Sequence, residues 1–412
     1  MSPARWLMPV AGVSRFQNFV QPTQSETPMA QTPDTTHLPI DESAGWRAVA
    51  DWYRAYFTGI VLSTVARRSS ARAAELVYHL FSHQRTERFL PGLRKLGIDQ
   101  LPHAVAAAQY HYLSNDIGGV PVQYMYESDR KAWIRYPVPR WAWTGTALCG
   151  IPTEVSRAML AGWHAQNGVS LGNPRLGFVC TKQAADGQSG LEGYYFEYDR
   201  DLSSEERLRF ARNEDAPDFD AAAAPRLPTT TWPQSRLAKA HRNYAMEYIR
   251  TALPVAVNLW GPQEAIDLLG LTGRLVGMQF FHETASRLGV TGSQHQHTAG
   301  GIGRVGDMSN VQHSDTSAEA FSDFMSRLIT AQGDRCEVQR NGDHVRVFQH
   351  GWTLMDDLAQ PHPSIATAFN GLLEGALAAH NHRLSLHTTV IRNQGRFEFE
   401  WLIRSAASSR HR

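Results

Sequence analysis

The stretch "GPQEAIDLLGLTGRLVGMQFFHETASRLGV" (261–290) aligns without a gap on residues 192 positions earlier. Ala73, Leu76 and Val77 fall on Ala265, Leu268 and Leu269, and "RKLGI" (94–98) falls on "SRLGV" (286–290). The order of periodic segments repeats around this pair. In the first half, "DESAGWRAVADWYRAYFTGIVLSTVARR" spaces Trp46, Val49, Trp52, Tyr53, Tyr56 and Val61 as a helix does. A second helix ends at Gly97, and a third runs from Pro102 to Asn115. The period then changes to that of strands in "VPVQYMYESDRKAWIRYP", with a turn at Ser128–Asp129. The helix "TEVSRAMLAGWHAQNG" follows, capped by Thr153 and stopped at Gly168. The hairpin "PRLGFVCTKQAADGQSGLEGYYFEYD" turns near Asp186–Gly187. In the second half, "HRNYAMEYIRTALPVAVNLW" reads as a helix kinked at Pro254. It leads through the repeated helix to the hairpin "CEVQRNGDHVRVFQHGW", the helix "SIATAFNGLLEGALAAHN" and the hairpin "HRLSLHTTVIRNQGRFEFEWLIR". "NPRLGFV" (173–179) sits beside "NHRLSLH" (381–387). A unit of about 190–210 residues is too long for a solenoid repeat. Duplication of one domain explains it, against chance likeness of two amphipathic patterns.

The expected fold is therefore α+β: two tandem similar domains, each a helical layer packed on an antiparallel sheet. The domains span 41–200 and 241–405. Between them, 201–240 has the Pro, Ala and acidic content of a linker. Residues 1–40 read as a disordered tail, with Met29 as an alternative start. The stretch 291–317, "TGSQHQHTAGGIGRVGDMSNVQHSDTS", has no counterpart in the first half and reads as a surface loop.

Charge narrows the partners. Lys and Arg total 40 against 39 Asp and Glu, so no global field draws the chain to nucleic acid or an anionic membrane. No apolar run approaches the ~20 residues of a membrane span. Three cysteines, Cys149, Cys180 and Cys336, cannot form a disulfide framework and suit a reducing cytosol. No Walker loop, G-x-S-x-G, HExxH or CxxC occurs, and the G-x-G of "GGIGRVGD" lacks the strand-to-helix frame of a dinucleotide site, so no cofactor is expected. His295 and His297 form an HxH pair with His313 beyond, but no carboxylate–histidine set accompanies them. They read as solvated, and no metal is expected.

Cys149 lies just before the helix starting at Thr153. A helix N-terminus presents free N–H groups and partial positive charge, which stabilise a thiolate able to attack an electrophilic carbon. A small buried hydrophobe is the other reading. The candidate bases are His164, about 15 Å along a straight helix, His111 and His350. Arg135 and Arg140, flanking "YPVP" with Trp141 and Trp143, form a candidate carboxylate clamp against an aromatic wall. Their alternative is surface arginine lying over Trp faces. Asn115 and Asp116 precede Gly-Gly as a helix C-cap does. Asn167 and Asn173 read as turn residues and are kept as substrate-contact candidates. Cys180, alternating with Phe178 on a strand, and Cys336, opening a strand, read as structural.

The run "WTGTALCGIPTEVSRAMLAGWHAQNG" followed by "NPRLGFV…GYYFEY" resembles the L-2-amino-thiazoline-4-carboxylic acid hydrolase-like family and, in outline, four-vinyl-reductase-type ligand-binding domains. The likeness covers about 44–200 and 241–404. In the second half "HGWTLMDDLAQPHPSIATAFNG" keeps the scaffold without a cysteine. The resemblance implies a ring-opening hydrolase with Cys149 at the family's cysteine position. Relatives carry Cys-Pro there, whereas this chain has Cys149-Gly150-Ile151-Pro152. The functional expectation is a cytosolic hydrolase of a small nitrogen-containing cyclic or aromatic compound, with Cys149 as nucleophile. The alternatives are a non-catalytic small-ligand-binding protein with an aromatic-lined pocket, and a scaffold whose sheet edges pair copies into a homo-oligomer.

Overall fold

Asp41 opens the first helix: its carboxylate accepts the Ser43 N–H at 3.0 Å and caps α1 (Glu42–Arg67). The computed structural model describes residues 41–138, 145–227, 232–290, 315–342, 344–356, 358, 360–393 and 395–405. The expected loop with His295, His297 and His313, the tail 1–40, and Arg140, Trp141 and Trp143 lie outside the described residues. Helix α2 (Ser70–Leu96) is capped by Ser69, whose hydroxyl accepts the Arg72 N–H at 3.1 Å. It leaves through Gly97 at φ 70°, in the left-handed region where a side chain is strained. The repeated helix α7 (Pro262–Arg287) leaves the same way, through Gly289 at φ 70°. The other helices are α3 (His103–Ile117), α4 (Thr153–Gly162), the short α5 (Asn167–Ser170), α6 (Gln234–Trp260), α8 (Ala318–Gln332) and α9 (Pro363–His380). Helix α6 runs on through Pro254.

The strands are β1 (Gln123–Ser128), β2 (Lys131–Pro137), β3 (Leu176–Lys182), β4 (Gly190–Glu197) and β5 (Leu208–Phe210) in the first sheet. The second sheet holds β6 (Arg335–Asn341), β7 (His344–His350), β8 (Leu384–Asn393) and β9 (Arg396–Ser405). Strand order is β1-β2-β4-β3-β5 in one and β6-β7-β9-β8 in the other. Leaving β5 aside, the two orders are the same, with antiparallel pairs throughout. The chain is α+β with two similar sheet-bearing regions.

Helix packing follows the repeat. Helix α2 lies on α4 as α7 lies on α9, while α1 packs against both α6 and α7. The α7–α9 contact is made by backbone: a Cβ on Gly375 would fall 2.0 Å from the Arg274 carbonyl oxygen, and one on Gly277 would fall 2.2 Å from that of Leu372. Helix α1 also reaches α8, so one continuous apolar core contains residues of both halves, from Ala48 to Ile403. Each large side chain removed from water there contributes roughly 1.5–3 kcal/mol.

Two segments differ from expectation. The helix read as Thr153–Gly168 stops at Gly162; Pro152 is its N-cap and Thr153 its first residue. Gly162 lies so close to α2 that a Cβ would fall 2.5 Å from the Tyr78 carbonyl oxygen, and the chain turns there into a 3-10 turn, His164–Gln166. The acidic segment read as a linker does more than connect. Phe178↔Leu208 and its neighbours pair β5 parallel to β3, and Ala211, Ala216 and Phe219 pack on the outer face of the first sheet over Met125, Trp133, Val179 and Tyr194.

Candidate functional site

An open cleft of about 690 Å³ lies between α1, α7 and the 3-10 turn Gly145–Gly150. On α1 its wall is Ala48, Trp52, Ala55, Gly59 and Leu62, spaced to share one face of a helix. The small residues leave the space, and Val276 and Phe280 of α7 face it. The helices close at one point: a Cβ on Gly59 would fall 2.8 Å from Val276 Cγ2. Ordinary side chains there would push the helices apart or fill the hollow. Four charged residues of the cleft pair with one another. Arg54 meets Asp51 at 3.5 Å, Arg287 contacts Asp51, and Arg287 meets Glu283 at 2.7 Å. Two acids against two bases leave no formal net charge at this edge, and such half-exposed pairs are worth little to stability.

Thr146, Ala147 and Gly150 of the turn line the cleft. Cys149, on the same turn, is exposed and is not among the lining residues. It is not a packed core thiol, and among the described residues none hydrogen-bonds it. The other two cysteines are built in. Burial pushes the Cys180 thiol up to about 12 and the Cys336 thiol up to about 11.

His111 and His164 do come together, but in the buried interior, whereas the thiol is exposed. Because α4 breaks at Gly162, His164 turns into the core instead of continuing along the helix. Its ring stacks on His111 of α3 with centroids 4.2 Å apart. Tyr195 of β4 bonds His164 Nδ1 at 2.7 Å, and the Asn167 amide donates to Tyr195 Oη at 2.9 Å and to His111 Nε2 at 3.0 Å. All four are buried. In this orientation Asn167 Oδ1 has no hydrogen-bond partner among the described residues. Burial, then the neighbouring His164, holds the His111 pKa well below the ordinary imidazole range. The amide donates to Nε2 only when that nitrogen carries no proton, so this geometry also requires neutral His111. The cluster does not line the α1–α7 cleft.

The remaining candidates have structural partners. Arg135 Nε donates to Glu192 at 2.6 Å and its guanidinium also reaches Gln123 Oε1 at 3.2 Å. Glu192 is buried and accepts Thr181 Oγ1 and the Ala216 N–H as well, so Arg135 serves the sheet and its cover. Asn173 Oδ1 accepts the Arg175 N–H at 3.0 Å, an Asx turn repeated by Asn381 and Arg383 at 2.9 Å, while its amide meets His103. His350 ends β7, 3.8 Å from Glu337. Asn115 sits inside α3, where it accepts the Tyr244 hydroxyl at 2.7 Å; the helix is capped by Gly118.

Sequence reasoning missed the cleft. Its signal was available in "RAYFTGI", where Ala55 and Gly59 put two small residues on a helix face otherwise lined by Trp52 and Leu62. No described helix is long and apolar enough to cross a membrane. No protein-family model, no curated protein and no solved structure matches the chain.

Proposed function

We propose that the protein binds a small, largely apolar, uncharged molecule in the cleft between α1 and α7, and that it does so in a reducing cytosol. One observation carries this: a hollow of about 690 Å³ with apolar walls, whose charged residues already neutralise one another. Small-molecule sites have this size and composition. A neutral fluorescent probe, N-phenyl-1-naphthylamine, tests it. The expected result is saturable one-to-one binding that Ala55→Trp removes while the variant stays folded. Binding that the folded variant retains would contradict the reading.

A second reading is the hydrolase that the resemblance implies. It is favoured by the exposure of Cys149 on a turn three of whose residues line the cleft. It needs a base, and both buried histidines are committed elsewhere. Turnover of 2-amino-thiazoline-4-carboxylate abolished by Cys149→Ser would establish it. Wild-type inertness, with probe binding unchanged in Cys149→Ser, would leave the binding reading alone.

A further inference from the structure

The outer face of the first sheet carries a second hollow, of about 320 Å³. Its floor is a rail of aromatic rings set edge to face, Tyr194 to Phe196 at 88° and Phe196 to Tyr198 at 89°. Tyr194 and Phe196 alternate along β4, and Tyr198 continues the spacing just past its end. Opposite Phe196 on β3 is Gly177, where a Cβ would fall 2.9 Å from Leu202 Cδ1, so that side of the ring is closed by Leu202. The chain after β5 supplies the facing wall through Ala211 and Glu214.

Three cations border the rail and differ in their partners. Arg130 lies 5.9 Å from the Phe196 ring centre and pairs with Asp199 at 2.7 Å. Lys131 Nζ lies 4.4 Å from the Tyr194 ring centre and is balanced by Glu127 at 3.1 Å and Glu214 at 4.0 Å. The Arg209 guanidinium lies 5.7 Å from the Tyr198 ring centre and donates to its hydroxyl at 3.2 Å. Among the described residues no carboxylate pairs with Arg209. A cation held beside an aromatic platform, with its charge uncompensated, suits an anion attached to a flat ring.

The repeat supplies an independent argument. Trp133↔Tyr194 and Lys131↔Phe196 of the first sheet correspond to Arg346↔Leu402 and His344↔Arg404 of the second. The second sheet has no aromatic rail at these places, and among the described residues no strand in it corresponds to β5. The rail is therefore not required by the fold.

We infer that this hollow binds a planar aromatic ring carrying one negative charge, the ring packing among the edge-to-face rings of Tyr194, Phe196 and Tyr198 and the anion meeting Arg209. The site is separate from the cleft and does not depend on it. Calorimetric titration of the full chain with 2-naphthoate tests the inference, with 2-naphthylmethanol as the neutral control. The expected result is one saturable naphthoate site, with the alcohol at least five-fold weaker. Arg209→Gln, at an exposed position, should erase that difference, and Phe196→Leu should weaken both ligands, while both variants still bind N-phenyl-1-naphthylamine or keep the wild-type far-UV spectrum. Ala55→Trp should leave naphthoate binding unchanged. Equal affinity for acid and alcohol, naphthoate binding unaltered by Arg209→Gln, or loss of it in Ala55→Trp would each overturn the assignment.

Discussion

The α1–α7 junction and the α6–α2 junction are related by the internal repeat, yet the first is hollow and the second is filled. Moving 192 positions along the chain turns Ala55 into Glu247 and Gly59 into Thr251; moving back turns Phe280 into Arg88 and Val276 into Gln84. In the second junction Arg88 meets Glu247 at 2.8 Å, and the Gln84 amide reaches the Glu247 carbonyl at 3.3 Å and Thr251 Oγ1 at 3.5 Å. Long polar side chains span the gap that Ala55 leaves open, and Thr251 stands at the position where Gly59 lets α1 and α7 touch. The same scaffold can therefore close this junction, and the cleft is a property of the residues placed there. The halves diverge again in their cores. The positions of the second sheet that match Ala132 and Tyr195 are Val345 and Ile403, so the hydroxyl joining His164 and Asn167 is replaced by a methyl group.

The largest effect is expected where the halves agree. Gly375→Ala sets a Cβ against the Arg274 carbonyl and should cost about 3 kcal/mol or more in urea unfolding, with Gly162→Ala on the matching α4 somewhat less. A neutral Gly375→Ala would mean that α7 and α9 are not in backbone contact. Next is Tyr195→Phe, which removes the hydroxyl shared by His164 Nδ1 and the Asn167 amide and should cost about 2 kcal/mol, against about 1 kcal/mol for Ile403→Val at the matching apolar position. Equal costs would dissolve the distinction between the two cores.

The third expectation concerns pH. His111 is neutral in the fold with its pKa held well below the unfolded value of ~6.5. Below that value the unfolded chain takes up a proton that the native chain refuses. Stability should then fall as pH drops from about 6.5 toward the native pKa, by up to about 1.4 kcal/mol per unit for this one group. His111→Leu should flatten that slope in unfolding curves taken between pH 7 and 5. An unchanged slope would mean that other histidines carry it. A smaller effect, about 1 kcal/mol, is expected of Phe219→Ser, which uncovers Met125, Trp133 and Tyr194; the second sheet, with Arg346 and Glu400 paired on its outer face, has no such cover among the described residues.

Much of the fold was legible because periodicity reports which face of an element is buried. The hairpins at Ser128–Asp129 and Asp186–Gly187, the end of α2 at Gly97 and the order of elements other than α8 and β5 follow from local pattern. What was not legible depends on the neighbour an element meets. Gly162 marks the break by its residue type, but its close approach to the Tyr78 carbonyl on α2, where only a glycine fits, comes from the neighbouring helix. The Ala- and Pro-rich composition of 201–227 hides three small anchors, Ala211, Ala216 and Phe219, whose meaning comes from the sheet beneath them. The candidate site was harder still. His111, His164 and Asn167 were singled out separately, and the structure joins them into a buried network with Tyr195. Cys149 was weighed between a pocket and the core and lies at the surface.

Filling the hollow junction as its counterpart is filled tests the account most directly. The double variant Ala55→Glu, Phe280→Arg transplants the Glu247–Arg88 pair to the α1–α7 junction, and its affinity for N-phenyl-1-naphthylamine is compared with that of the wild type. A folded double variant with no saturable probe binding is the predicted result. A folded double variant that binds the probe as the wild type does would contradict the claim that this cleft is the binding site.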